Sequence, residues 1–229
     1  MATQPSARPA EPPPHNVQPP VAPSAAPART APAKLTDEQK GWLAKASRHD
    51  VDGWVRVSIG GAPFERGFQY GYLVADEYAE SIRVYQEMTY QDMGMTYDFF
   101  VGKGVELHAV KVPSELRAEI EGVAAGLTAA GVPSTFDDVL GINDWMELTG
   151  YWWPKNSGRY TALAPTGGEG NHCSAFIATG SATSDGSIVL GHTSFTDFWQ
   201  GQFENVILDL TPEDGSRMSC RPRPDGSPA

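Results

Sequence analysis

CSAFIAT (residues 173–179) and SIVLGHT (187–193), with the turn residues Ser184-Asp185-Gly186 between them, decide the fold of this 229-residue chain. Both runs are short, apolar and rich in strand-forming residues, and Asp-Gly is a strong reversal signal, so the pair reads as a β-hairpin. A third run of the same kind, ENVILDL (204–210), leads into a turn at Pro212 to Gly215. These strands follow a long helical stretch rather than alternating with it. The order predicts an α+β fold, not a series of βαβ units.

Working back from the hairpin, YWWPKNSGRYTALAPTGGEGN (151–171) is a Gly/Pro-rich loop. Before it, helices are expected from about Thr135 to Thr149 and from about Pro113 to Ala130, the latter carried by Leu116, Ile120, Val123, Ala124 and Leu127. A longer helix is expected from about Phe64 to Gln91, with Pro63 in its first turn. Gly67 and Gly71 lie four apart on it, so they share a face and admit another backbone closely. GWVRVSI (53–59) alternates Val55, Val57 and Ile59 against Arg56 and Ser58, the pattern of a half-buried strand. Gly60-Gly61 reads as the turn after it. Thr36 and Gln39 fit a capping box that opens a short helix with Trp42 and Leu43 on its apolar side.

Residues 1–34 differ in kind. They hold 10 of the 19 prolines, many alanines and no aromatic residue. Such a segment buries too little apolar surface to offset its ordering entropy and is expected to be disordered. The folded unit is expected over 35–215, with an irregular tail at 216–229. Met1 is not followed by a basic stretch and an apolar core, so no secretory signal is expected in these residues. A Pro/Ala tract ahead of a folded unit resembles the tether behind an export signal in bacterial envelope proteins. The expectation is a natural start upstream of Met1 and an extracytoplasmic location.

The balance of 17 basic and 28 acidic residues leaves a net charge of −11. Affinity for phosphates comes mainly from Lys and Arg, so a nucleic-acid partner is not expected. No apolar run reaches the roughly 18 residues of a membrane-spanning helix. The five histidines are scattered without ligand spacing, and GGEG (167–170) precedes a strand rather than a helix. Neither a metal site nor a phosphate loop is therefore expected, and no cofactor. Cys173 and Cys220 are the two cysteines, too few for a disulfide scaffold.

Cys173 opens the first hairpin strand directly behind the flexible GGEGNH. A thiol fixed at a strand start can attack the carbonyl that precedes it. An N-to-S acyl shift across the His172–Cys173 bond, followed by hydrolysis of the thioester, would leave Cys173 as a new N-terminus. Its α-amine, with a reference pKa of about 7.7 to 8.0, could then take the thiol proton as the local base. The competing reading is a small buried cysteine inside a non-catalytic helical interaction module with a Pro/Ala tether. His192 ends the adjacent strand, either shaping the site or satisfied by backbone as a structural histidine. His172 flanks the scissile bond. Asn143, in Asn143-Asp144-Trp145, could reach the site from its helix or lie on a solvated face. Trp152 and Trp153 could line an acyl pocket or pack in the core. Arg66 could pair a carboxylate or lie on the surface beside Glu65.

The segment NHCSAFIATGSATSDGSIVLGHTSFTDFW (171–199) resembles the nucleophile region of the phospholipase B-like proteins and their relatives, the acyl-coenzyme A:isopenicillin N acyltransferase-like autoproteolytic hydrolases. The matching features are Cys173-Ser174 at a strand start, Asp185-Gly186 in the turn and Gly191-His192 closing the second strand. The family often continues His-Asn-Thr-Trp, whereas this chain has His192-Thr193-Ser194-Phe195. GGAPFERGFQYGYLVADE (60–77) resembles the family's early glycine-rich helix start. The resemblance covers roughly residues 50–212. It implies the first strands of an N-terminal-nucleophile αββα sandwich, Cys173 as nucleophile, cleavage at His172–Cys173, and Ser174, His192 and Thr193 around the site. It also implies a lipid, peptide or other small-molecule acyl substrate.

Hydrolases of this family continue well past the nucleophile, to further strands and an oxyanion-hole donor. Here SRMSCRPRPDGSPA (216–229) is polar and proline-rich where the relatives carry another apolar strand. The expectation is a truncated or frame-shifted product from about Ser216, with Cys220 incidental and little activity in the chain alone.

Overall fold

The computed structural model describes residues 28–160, 173–193, 198–203, 205–215 and 218–219. The fold is mixed α+β with small sheets. Helix α1 (Asp37–Leu43) leads into the antiparallel pair β1 (Ser47–Val51) and β2 (Trp54–Gly61). Four helices follow: α2 (Pro63–Leu73), α3 (Ala75–Met93), α4 (Tyr97–His108) and α5 (Ser114–Ala129). Then come α6 (Phe136–Glu147), one π-helical turn at Leu148–Trp152, and the short α7 (Trp153–Asn156). The hairpin is β3 (Ser174–Gly180) and β4 (Gly186–Thr193). The short α8 (Phe198–Gly201), β5 (Val206–Pro212) and the two-residue β6 (Met218–Ser219) complete the described chain.

The capping box forms as expected. Gln39 N–H donates to Thr36 Oγ1 at 3.2 Å, and Thr36 N–H donates to Gln39 Oε1 at 2.9 Å. Val55, Val57 and Ile59 of β2 are buried, and Val55 and Val57 pack against Val74 and Leu73. Gly60 and Gly61 are not a turn. They extend β2, opposite Thr211 and Pro212 of β5, because a glycine is what that pairing tolerates: a Cβ at Gly60 would lie 2.6 Å from the Thr211 carbonyl oxygen. β5 runs parallel to β2, giving a four-stranded sheet in the order β1-β2-β5-β6. The hairpin forms a separate two-stranded sheet. Part of the expected tail also pairs, since Ser219 and Met218 lie opposite Asp209 and Leu210.

The expected long helix from Phe64 divides at Val74, whose φ of −112° and ψ of 20° leave the helical range. The break lets Val74 turn toward the β2 side chains while Ala75 enters a second cluster with Ala124, Leu127, Val132 and Val139. No Gly or Pro marks it in the sequence.

Helices α2 and α5 meet backbone to backbone. Cβ atoms at Gly67 and Gly71 would lie 2.1 and 2.2 Å from the carbonyl oxygens of Glu119 and Val123. On the facing helix, Cβ atoms at Gly122 and Gly126 would lie 2.2 Å from those of Phe64 and Phe68. Four glycines thus interlock in two facing pairs, and every alanine at these positions would strike backbone rather than a yielding side chain.

Ordered contacts begin before Thr36, within the segment expected to be disordered. Thr30 N–H donates to the Gly131 carbonyl and Ala33 N–H to the Ala129 carbonyl, both at 2.9 Å, while Arg29 pairs with Asp76. The last carbonyls of a helix lack intrahelical donors, and this strap supplies them at the end of α5. The contact runs through backbone, which composition does not report.

Candidate functional site

Cys173 is exposed, with a free thiol, immediately before the first residue of β3. This removes the buried-core reading of the cysteine. Pairing across the hairpin sets Ser174 opposite Thr193 and Ala175 opposite His192. Side chains two apart on a strand share a face, as do directly opposed ones. Cys173, Ala175 and His192 therefore lie on one face of the hairpin, with Cys173 diagonal to His192. Ser174 and Thr193 lie on the other, where the Thr193 hydroxyl donates to the Ser174 carbonyl at 3.4 Å. Asp185 accepts from the Ser187 N–H at 3.0 Å and closes the turn; hydrogen bonding from Ser187 holds its carboxyl below the usual range. His172 lies outside the described residues.

The structure does not gather every sequence-derived candidate. Asn143 is exposed on α6 and its amide donates to the Val139 carbonyl of its own helix at 2.8 Å. That is the solvated helix face rather than a site contact. Its neighbour Asp144 meets His108 across the α4–α6 contact, Oδ2 to Nδ1 at 2.9 Å. Gly104 makes room for that carboxylate, since a Cβ there would lie 3.1 Å from the same oxygen. This pair was not foreseen, because 36 residues separate its members. Trp153 is fully buried in the cluster of Phe100 and Leu148, while the half-buried Trp152 lies tilted against Phe99 and Tyr160. Of the two readings of Arg66, carboxylate pairing holds and the surface reading does not: it is buried and bonded to Glu119 and Glu115 at 2.7 and 2.8 Å. Burial opposes its charge, and the two carboxylates more than offset that opposition, raising its pKa.

A cleft of about 370 Å³ opens at the carboxyl ends of the parallel strands β2 and β5, lined by Ser58, Gly60, Asp209 and Lys45 among others. Lys45 is held there by Glu65 at 2.8 Å, and Asp209 is buried with Arg56 at 3.8 Å. No cluster of three metal-ligating side chains occurs among the described residues. No described helix is long and apolar enough to cross a membrane.

Fold and site together define a mixed α+β protein with an exposed thiol at the head of a β-hairpin. An uncharacterized protein of Archaeoglobus fulgidus is similar, 28% identical over 177 residues, covering 71% of this chain and 28% of that protein. The chain thus spans less than a third of the length of the curated relative it matches. No family model matches the sequence, and no solved structure matches it.

Proposed function

We propose that this chain is a self-processing thiol hydrolase or acyltransferase of the N-terminal-nucleophile type, acting on an amide or ester acyl bond through Cys173. The observation that carries this reading is the exposed thiol at the head of β3 with His192 on the same hairpin face. The composition of the hairpin supports it as well. Apolar side chains on both faces suit strands covered on both sides, as in the αββα sandwich that the sequence resemblance implies.

The chemistry begins with the Cys173 thiolate adding to the carbonyl carbon of residue 172. The C–N bond breaks as the thioester forms, and the nitrogen takes a proton to become the α-amine of Cys173. Water then hydrolyses the thioester, leaving a carboxylate on residue 172 and restoring the thiol. In turnover, the α-amine takes the thiol proton and returns it to the leaving amine or alcohol, and water or an acceptor nucleophile then cleaves the acyl thioester, releasing the acyl product and restoring the thiol. His192, across the strand pair, is placed to hydrogen-bond the acyl group.

Incubation of the purified chain under reducing conditions should give fragments of 172 and 57 residues on a denaturing gel. Cys173→Ala should abolish the cut. A wild-type chain that stays whole would overturn self-processing and favour the non-catalytic helical module, for which the closed α2–α5 packing is the supporting observation.

A further inference from the structure

We propose that residues 29–33 are a releasable latch, docked on the α5–α6 turn and on the start of α3, whose opening governs proteolytic release of the N-terminal Pro/Ala tract. This goes beyond the Cys173 chemistry and does not depend on it.

The docking surface is built from backbone acceptors, a glycine and a carboxylate. The carbonyls of Gly131 and Ala129, at the end of α5, accept from Thr30 N–H and Ala33 N–H at 2.9 Å each. Gly131 takes a φ of +92°, and a Cβ there would lie 2.3 Å from the Thr30 carbonyl oxygen and 3.5 Å from the Pro32 nitrogen. The segment therefore rests directly on a position that glycine alone fills without strain. Asp76, in the first turn of α3, pairs with Arg29. Pro32, which has no N–H to place, falls between the two donors. Its fixed φ lowers the entropy lost when the segment is ordered.

The same contacts set how firmly the segment is held. Every residue from Ala28 to Lys34 is exposed, so docking buries no side chain of the segment. The ion pair is open to solvent on both sides, at 52% and 76%, and exposed pairs contribute little. The two backbone hydrogen bonds are therefore the main hold among the described residues, and such bonds are modest net of water. The surface beneath is of another kind. Ala75 and Val132, the chain neighbours of Asp76 and Gly131, are buried in one cluster with Leu127. A weak contact is thus seated on a packed base, and it opens without unfolding that base.

Lys34 directly follows the latch, and Thr36 begins the capping box of α1. A protease of basic specificity must draw several residues on each side of the Lys34–Leu35 bond into its cleft. The docked segment resists this and the open segment does not, so latch opening sets the rate at which the tract is lost.

The test uses the full chain in a Cys173→Ala background, which stays whole. Amide exchange of Thr30 and Ala33 is followed by NMR at urea concentrations below the unfolding transition. Both amides should be slowed roughly 10- to 100-fold from their unstructured rates. The factor should be the same for both, because one opening frees both. It should also be independent of urea, because that opening exposes little surface. Asp76→Asn should lower both factors about 2- to 5-fold, as loss of an exposed ion pair does. Trypsin should then produce the fragment beginning at Leu35 faster by that same factor, since cleavage tracks the open population. Unprotected amides would overturn the proposal, and so would a tryptic rate indifferent to Asp76→Asn. Protection that falls with urea in step with the Leu127 amide would overturn it as well, because the segment would then open only with the whole fold.

Discussion

The α2–α5 contact and the β3–β4 hairpin are opposite solutions to burying a face. At Gly67, Gly71, Gly122 and Gly126 the backbones touch and nothing larger than hydrogen fits. On the hairpin, side chains of core type face solvent. Close packing makes interiors intolerant of even one added methyl group, so the first region is where this fold is specified. The second contributes little to the stability of the isolated chain and carries the thiol. Stability and candidate chemistry therefore sit in different parts of the molecule, and the two can be perturbed separately.

Among substitutions that add atoms, the largest expected effect comes from filling the helix contact. Gly71→Ala places a Cβ 2.2 Å from the Val123 carbonyl oxygen. Overpacking costs about 1 to 3 kcal/mol where side chains can shift, and here only backbone can move. The upper end, about 3 kcal/mol, corresponds to a fall in Tm of about 10 °C for a chain of this size. Gly102→Ala provides the control. Nothing lies within 4 Å of a Cβ at that position of α4, so the same substitution should stabilise by about 0.5 to 1 kcal/mol. Equal Tm values for the two variants would show that the glycine interlock does not hold the helices together.

These regions also differ in how far the sequence exposes them. The spacing of Gly67 and Gly71 predicted a close approach, and the alternation of Val55, Val57 and Ile59 predicted the buried face of β2. The hairpin registered from its two strand-forming runs and the Asp-Gly turn between them. Periodicity could not reveal that Gly122 and Gly126 answer Gly67 and Gly71, because small residues on α5 have no apolar signature. Nor could it show that Arg66 turns inward to two glutamates, or that Val74 breaks a helix without Gly or Pro. The parallel pairing of β2 with β5 joins strands about 150 residues apart, and no local pattern carries that. At the site, the place of Cys173 at a strand start was legible but its exposure was not, and of the two readings of Asn143 its bond to Val139 fits the solvated helix face.

A smaller effect is expected where the sheet is tied to the helices. Arg48 of β1 binds both Glu77 oxygens at 2.7 and 2.8 Å and donates to the Leu73 carbonyl at 2.6 Å. The hydrogen bonds from Arg48 hold the Glu77 carboxyl below its ordinary range, against the opposing effect of burial. A depressed carboxylate contributes stability that is complete above its unfolded pKa of about 4.3. That contribution is lost as pH falls through the lower folded value. Arg48→Met should therefore cost about 1.5 to 3 kcal/mol at pH 7, an amount typical of hydrogen bonds to a charged group. Its gap from wild type should close below about pH 4. Thermal melts of both proteins from pH 7 to pH 3 check this. A gap independent of pH would assign the loss to Arg48's packing and its bond to Leu73 instead.

The smallest effect completes the comparison, using one substitution in both regions. Leu127 is fully buried between α5 and α6, and Leu190 is two-thirds exposed on β4. Leu127→Ala removes packed methyl groups and should cost about 2.7 to 5 kcal/mol. Leu190→Ala removes the same groups from water, so in dilute, monomeric protein it should fall within about 0.5 kcal/mol of wild type. The measurement is denaturant unfolding followed by helical circular dichroism, at a concentration where the chain sediments as a monomer. The slope against denaturant should be unchanged in the Leu190 variant, because no surface buried in the native chain is lost. Comparable losses at the two leucines would place the hairpin inside the cooperative core and would erase the division between a packed helical layer and an open strand pair. A Leu190 loss that emerges only as protein concentration rises would instead locate the value of that side chain between copies, where association rather than folding buries it.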